Sequence, residues 1–308
     1  MKQQENIKIL IKMANEGGAE AQVKLGLAYA YGYGVKVNEK ESLKWFYKAA
    51  DQGNADAQGW IGSSYYEGKR QKQNYGKALK YFRLSADQGN RVSQHWVGMC
   101  YFEGKGVEKN LKEAYKWFKL SAEQGHQEAQ CKLGRCYDKG WGVKANPSTA
   151  AKWFYKAALQ GDATAQFYLG SAFDRGHGVK QDSEEGVKWF RASAEQGDSD
   201  AQYNLGKAYN DGCGVEMDYV EAVKWYRMAA EQGDNDAQFN LAVRYYCGEG
   251  VKQDTVAALG WAFLATCEGV DDQSLPFITE LEQHSTPAQR KKALAWAKNL
   301  KPVKRRYI

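Results

Sequence analysis

Histidine and cysteine have the widest chemical repertoire of any side chains, and this chain of 308 residues carries only four of the first and six of the second. His177 and Cys213 stand 36 residues apart, each between two glycines, and an imidazole with a thiolate would suit zinc. A structural zinc takes four such ligands within one coordination sphere, and no third or fourth accompanies this spacing. His95, His126 and His284 have no serine or cysteine partner that spacing identifies. His126 falls, at multiples of the same interval, in line with Asn54, Asn90, Asp162, Asp198 and Asp234. Those residue types cap helices, so His126 is expected to cap one too. The tripeptides Gly32-Tyr33-Gly34, Gly104-Lys105-Gly106 and Gly140-Trp141-Gly142, with three more at 176, 212 and 248, resemble phosphate cradles. A cradle follows a strand and opens onto a helix N-terminus, whereas these recur after helical segments and read as turns. No catalytic residue, metal or cofactor is expected.

The interval itself is the strongest signal. The dipeptide Ala-Gln, once Ser-Gln, begins at 21, 57, 93, 129, 165, 201 and 237. Periods in the thirties mark helical solenoids, whose repeats bury their apolar faces against their neighbours. Each register position forms a column. One holds Trp45, Tyr81, Trp117, Trp153, Trp189, Trp225 and Trp261, read as a core ring between helices. Another holds Leu25-Gly26, Ile61-Gly62 and their equivalents, with a Tyr or Phe four residues on. Ala57, Ile61 and Tyr65 share one helical face, and Gly62 would let a neighbour approach closely. A second helix starts at Asn38, Asn74, Asn110, Asn146, Asp182, Asp218 and Asp254, all N-cap types. Glu41, Glu113, Glu185 and Glu221 follow at capping-box spacing, and glycines at 53, 89 and onward suit left-handed helix ends. The expected fold is all-α, an α-solenoid of seven helix-turn-helix repeats wound as a right-handed superhelix. Residues 1–18 read as an N-terminal capping helix. The repeats span 19–54, 55–90, 91–126, 127–162, 163–198, 199–234 and 235–270. Residues 271–308 read as capping helices, the second opening with a capping box at Thr286, followed by a loose basic tail.

The repeat Ala-Gln-x-x-Leu-Gly-x-x-Tyr-x-x-Gly-x-Gly-Val, then Asn/Asp, Ala, Trp-Phe, Ala-Ala and Gly, resembles the Sel-one-like repeat (SLR) family, cousins of the tetratricopeptide repeat. The resemblance covers about residues 19–270. It implies a scaffold or adaptor for protein complexes. Lys69-Arg70-Gln71 replaces the Gly-x-Gly-Val continuation in the second copy, so a different loop is expected there. Some cysteine-rich members have been linked to β-lactam binding or hydrolysis, but this chain lacks their pair of cysteines per repeat. An enzyme of that kind is the alternative function.

Composition narrows the field. Charged residues make up 26% and aromatics 13%, as in a folded soluble chain. No apolar run approaches the roughly 18 residues of a membrane span, and no signal peptide is evident. Cys100 and Cys136 share a column whose helices should lie about 8–10 Å apart, too far for a disulfide needing Cα atoms within about 7 Å. Free thiols in a reducing, cytoplasmic setting are expected. The net charge of +6 includes the column Lys44, Lys80, Lys116, Lys152, Lys188 and Lys224. Glutamates three residues earlier offset four of these lysines, so nucleic acid is not an expected partner. The chain is expected to be monomeric.

Columns that vary within a fixed repeat are where binding specificity can be written. In tetratricopeptide-like solenoids the first helices line a concave groove. Fixing the Leu-Gly and Tyr columns as packing residues leaves a candidate protein- or peptide-binding set on the other face. It comprises Trp60 and Tyr66 in the second copy, then His95, Trp96, Met99 and Phe102 in the third. Lys132 and Arg135 form a basic middle. Tyr168, Asn204, Lys207, Asn240 and Tyr246 continue the set. Aromatic enrichment of this order is typical of protein interfaces.

Overall fold

The computed structural model describes residues 2–266 and 275–299. Helix α1 (Lys2–Asn15) precedes seven helix pairs, here numbered as copies 1 to 7. Copies 1 to 4 are α2 (Ala19–Tyr31) with α3 (Glu39–Asp51), α4 (Ala55–Glu67) with α5 (Tyr75–Ala86), α6 (Arg91–Glu103) with α7 (Leu111–Glu123), and α8 (Gln127–Lys139) with α9 (Pro147–Leu159). Copies 5 to 7 are α10 (Ala163–Arg175) with α11 (Ser183–Glu195), α12 (Ser199–Asp211) with α13 (Tyr219–Glu231), and α14 (Asn235–Cys247) with α15 (Thr255–Thr266). Helices α16 (Leu275–Gln283) and α17 (Pro287–Asn299) follow. The described residues contain no strand. The chain divides into two compact units, Met1–Trp153 and Phe154–Ile308. Cys267, Gly269 and the basic tail lie outside the described residues.

Each helix from α3 to α15 begins where its cap column places it. Asn38 accepts from Glu41 N, Asn74 from Lys77 N and Asp182 from Glu185 N. Among the first helices Asn54 and Asn90 do the same, and His126 accepts from Ala129 N through Nδ1 at 3.3 Å, so the histidine is a cap. The capping boxes of the second helices do not close. The N–H of Asn38, Asn110, Asp182 and Asp218 donates instead to the carbonyl of Tyr29, Tyr101, Phe173 and Tyr209, at 2.9 Å in each case. The glutamates, released from that task, bind Lys44, Lys116, Lys188 and Lys224 three residues on. The box at α17 does close, with Thr286 N donating to Gln289 Oε1 at 2.8 Å and Gln289 N to Thr286 Oγ1 at 3.2 Å.

Two devices join the copies. The buried glutamine of each Ala-Gln pair donates to the alanine carbonyl eight residues earlier, as Gln22 Nε2 does to Ala14 O at 3.1 Å. In copies 1, 2, 3, 5 and 6 its own Oε1 accepts from a glutamine 30 residues on, giving Gln52–Gln22, Gln88–Gln58, Gln124–Gln94, Gln196–Gln166 and Gln232–Gln202 bonds of 2.7–2.8 Å. Because Gln22 reaches α1 this way, α1 stands where a second helix would.

The other device is ring against glycine. A Cβ at Gly26, Gly62, Gly98, Gly170 or Gly206 would fall 2.6–2.8 Å from the ring of Phe46, Phe82, Phe118, Phe190 or Tyr226. What approaches the glycine is therefore the second ring of each Trp-Phe pair, and that ring is the fully buried one. This corrects the expectation for the Trp45 column. Trp45, Trp225 and Trp261 are buried, but Tyr81, Trp117, Trp153 and Trp189 are only half-buried.

The second copy's loop also differs from expectation, in a smaller way than its sequence implies. Arg70 adopts the left-handed conformation (φ 71°) that Gly34, Gly106, Gly142, Gly178, Gly214 and Gly250 adopt in the same column. The turn is conserved and the side chain bears the strain.

Candidate partner-binding face

On the first helices of the N-terminal unit, aromatic rings stand one layer above the core. Trp60 of α4 lies flat on Phe46, centroids 5.9 Å apart and planes 9° apart. Trp96 of α6 lies on Phe82 at 5.8 Å and 10°. Tyr168, in the C-terminal unit, repeats the arrangement on Phe154 at 5.1 Å and 20°. Stacking on a buried ring fixes each plane and contributes about 0.5–1.5 kcal/mol beyond area.

Between Trp60 and Trp96 opens a cleft of about 170 Å³ with Phe82 at its base. Its space comes from Gly59, in a column that elsewhere holds Val23, His95, Cys131, Phe167, Tyr203 and Phe239. The one Ser-Gln copy supplies Ser93, whose hydroxyl donates to Ser85 Oγ at 2.7 Å. Asp56, Ser63, Asn90 and Val92 complete the rim. Asn90 Nδ2 donates to Asp56 Oδ1 at 2.9 Å, while Asn90 Oδ1 caps α6.

Tyr66 leans on Trp96 with centroids 4.9 Å apart. Its hydroxyl donates to Glu103 Oε2 at 2.7 Å and accepts from Lys105 Nζ at 3.1 Å, and Lys105 pairs with Glu103 at 2.7 Å. Burial, then the Glu103 bond, pushes the Tyr66 phenol up to about 12. Burial would raise the Glu103 carboxyl, but the Lys105 and Tyr66 bonds outweigh it and hold it below its usual range. Both groups stay in their ordinary forms at neutral pH, so the trio is a fixed rim and not an acid–base pair.

Lys105 sits at the tip of copy 3's Gly-x-Gly loop, and the same column in copy 4 is Trp141. Trp141 leans on Phe102, centroids 5.0 Å apart and planes tilted by 55°, with the Arg135 guanidinium over its face at 5.0 Å. These two loop tips thus each cover an aromatic of the copy before, Lys105 over Tyr66 and Trp141 over Phe102. Trp141 belongs to this face although its sequence position suggests only a turn. The signal was a shared column with Lys105, and its meaning depended on how adjacent copies stack.

The structure removes two residues from the candidate set. His95 and Met99 are only 7% and 8% exposed. His95 packs against Phe118, Trp96 and His126, because its column points toward the adjacent helix and not outward. Burial, with the charges of His126 and Lys132, lowers its pKa to about 3, and its Nδ1 finds no hydrogen-bond partner. Lys132 and Arg135 are half-buried beside these rings.

In the C-terminal unit Asn204 and Asn240 bond back to Asp200 O and Asp236 O, and Lys207 is exposed. Tyr246 is covered by the chain itself: Phe277 of α16 packs edge-on against it at 5.7 Å, and its hydroxyl donates to Glu280 Oε1 at 3.3 Å. No three His, Cys, Asp or Glu side chains gather as metal ligands among the described residues, and no described helix is long and apolar enough to cross a membrane.

Comparison with known proteins agrees with this geometry. The Sel1 repeat profile matches seven consecutive segments, 19–54, 55–90, 91–126, 127–162, 163–198, 199–234 and 235–270. A Sel1 repeat protein from Oxalobacter formigenes is 31% identical over 74% of this chain and 91% of its own, with a TM-score of 0.68. A protective antigen from uropathogenic Escherichia coli strains, displaying an SLR fold, is 29% identical over 94% of this chain and 78% of its own, with a TM-score of 0.52. A comparison with curated proteins finds no match. Repeat by repeat and in the solved structures it resembles, the chain belongs to the Sel1 repeat family.

Proposed function

We propose that this protein is a non-catalytic adaptor that binds a peptide or protein segment on the first-helix face of its N-terminal unit, with Trp60 and Trp96 as anchors. Sel1 repeat proteins are helical scaffolds that typically mediate protein–protein interaction, and that general role is the starting point. The observation that carries the narrower reading is the cleft between the two indoles. Repeat packing needs no ring there, since other copies carry Lys24, Lys132, Asn204 and Asn240 in that column. Tryptophan and arginine anchors beside a pocket are what interface hot spots are made of. Tyr66, Phe102, Trp141 and Arg135 supply the surrounding surface. The exposed free thiols of Cys213 and Cys247 support a reducing, cytoplasmic setting.

The test is affinity capture from source lysate with the wild type and with Trp60→Ala/Trp96→Ala. A partner held by the wild type should bind the variant at least about tenfold more weakly. Prey equally enriched on both baits would argue against this face. Nitrocefin hydrolysis abolished by one point substitution would overturn the non-catalytic claim.

A further inference from the structure

The cleft has a polar wall as well as aromatic ones, and the combination selects a ligand class. Building on the adaptor reading above, we propose that the occupant of the Trp60–Trp96 cleft is a cationic side chain, the ammonium or guanidinium of a lysine or arginine on the partner. The two indoles line the cleft, each held by the phenylalanine beneath it. An indole face is the best of the aromatic surfaces for a cation. The Asp56 carboxylate stands at the same rim. It is positioned: Asn90 is fixed by capping α6 and donates to one of its oxygens at 2.9 Å.

Other occupants fit worse. An aliphatic side chain would fill the volume but strip water from Asp56 without replacing its hydrogen bonds. An acidic one would meet a carboxylate and two electron-rich indoles. A cation satisfies both kinds of wall. The cleft's volume of about 170 Å³ suits one long side chain, not a helix.

The site is built from departures. Gly59 opens space that six other copies fill, and Ser93 replaces the alanine of the repeat. Trp60 and Trp96 are the only two tryptophans in their column, and they flank that space. Since the chain carries a net charge of +6, attraction for cations has to be local, and one carboxylate between two indoles is local.

The experiment follows the indole N–H signals of Trp60 and Trp96 by NMR, assigned with single Trp→Phe variants. The probes are Nα-acetyl-lysine amide, Nα-acetyl-arginine amide and the uncharged Nα-acetyl-norleucine amide, at matched ionic strength. Both cationic amides should move both signals with a Kd on the order of 10 mM, about tenfold tighter than norleucine amide. Asp56→Asn should weaken the cationic probes about tenfold with an unchanged thermal midpoint.

Gly59→Val with Ser93→Ala should abolish the response. That pair reproduces the packing of Val23 in copy 1 against Ala57 in copy 2, so the variant keeps a contact already present in the chain. The inference is overturned by norleucine amide binding as tightly as the cations, by unchanged affinity in Asp56→Asn, or by no movement with any probe. Prey lost from Trp60→Ala/Trp96→Ala but fully retained by Asp56→Asn would leave the adaptor reading intact and remove only the cation.

Discussion

In copy 2 the Tyr66 hydroxyl reaches forward to Glu103 of the next copy, and in copy 7 the Tyr246 hydroxyl, from the same column, reaches Glu280 of α16. Copy 7 has no following repeat, so a helix outside the repeat pattern supplies both the carboxylate and a ring. Phe277 meets Phe239 and Tyr246 edge-on at 80° and 81°. In copies 2 and 3 the corresponding face keeps an open cleft between Trp60 and Trp96. The contrast teaches that this face readily takes an aromatic-bearing segment. Where the array ends, the chain covers the face itself; where the array continues, Gly59 holds a gap open.

The largest effect that separates the two regions is expected from their floors. Phe82 is buried, sits against Gly62 and carries Trp96. Phe82→Ala should lose roughly 3–5 kcal/mol of stability in urea unfolding, as large-to-small core changes do. A loss under about 1 kcal/mol, the range of surface sites, would mean that the ring column on glycine is not the core.

Acid provides the next largest effect, and it acts on the open region. His95 is neutral and buried, with its pKa lowered to about 3. Between about pH 6.5 and 3 the unfolded chain binds a proton at this residue that the folded chain does not. Stability therefore falls as pH drops through that window and is unaffected by His95 above it. Each pH unit within that window costs about 1.4 kcal/mol. His95→Phe, which installs the residue found at Phe167, should flatten this limb of the profile. Parallel wild-type and variant curves from pH 7 to 4 would show that another group is responsible.

Phe277→Ala tests the covered region. It should cost about 1–2 kcal/mol, since the ring is half-buried and lost from the end of the array. Amide exchange should quicken in α16 and α17 and stay unchanged in α2 to α8. A loss equal to that of Phe82→Ala would make α16 part of the core, and the comparison with an occupied binding face would fail.

The parts of this structure that were legible from sequence are those set by local geometry. The Asn and Asp caps act within three residues, so a column of cap types at 38, 74 and 110 suffices to place a helix start. The Ala-Gln pair marked every copy, yet the reason for the glutamine was not legible, because Gln22 bonds to Ala14 and Gln52 across helices. In Trp45-Phe46 the two rings lie about 100° apart on one helix. Which of them meets Gly26 depends on how the helices rotate against each other. For the same reason Trp60 and Trp96 could be placed on one face, while the burial of His95 and the covering of Phe102 by Trp141 could not.

The smallest expected effect lies in copy 2, next to its open face. Arg70 holds φ 71° where the other six copies have glycine. At Gly106 a side chain would also run into the Tyr75 carbonyl, so there the glycine is needed for space as well as for conformation. A left-handed conformation costs a non-glycine residue about 1–2 kcal/mol. Glycine returns about 0.5–1 kcal/mol of that by loosening the unfolded chain. Arg70→Gly should therefore stabilise the protein by less than about 1 kcal/mol, seen as a higher urea midpoint at constant slope. It should leave the Trp60 and Trp96 indole signals in place, because the loop keeps its turn. A lower midpoint would mean that the half-buried Arg70 side chain contributes more than its backbone costs, and the second copy would then depart from the repeat in its packing as well as in its sequence.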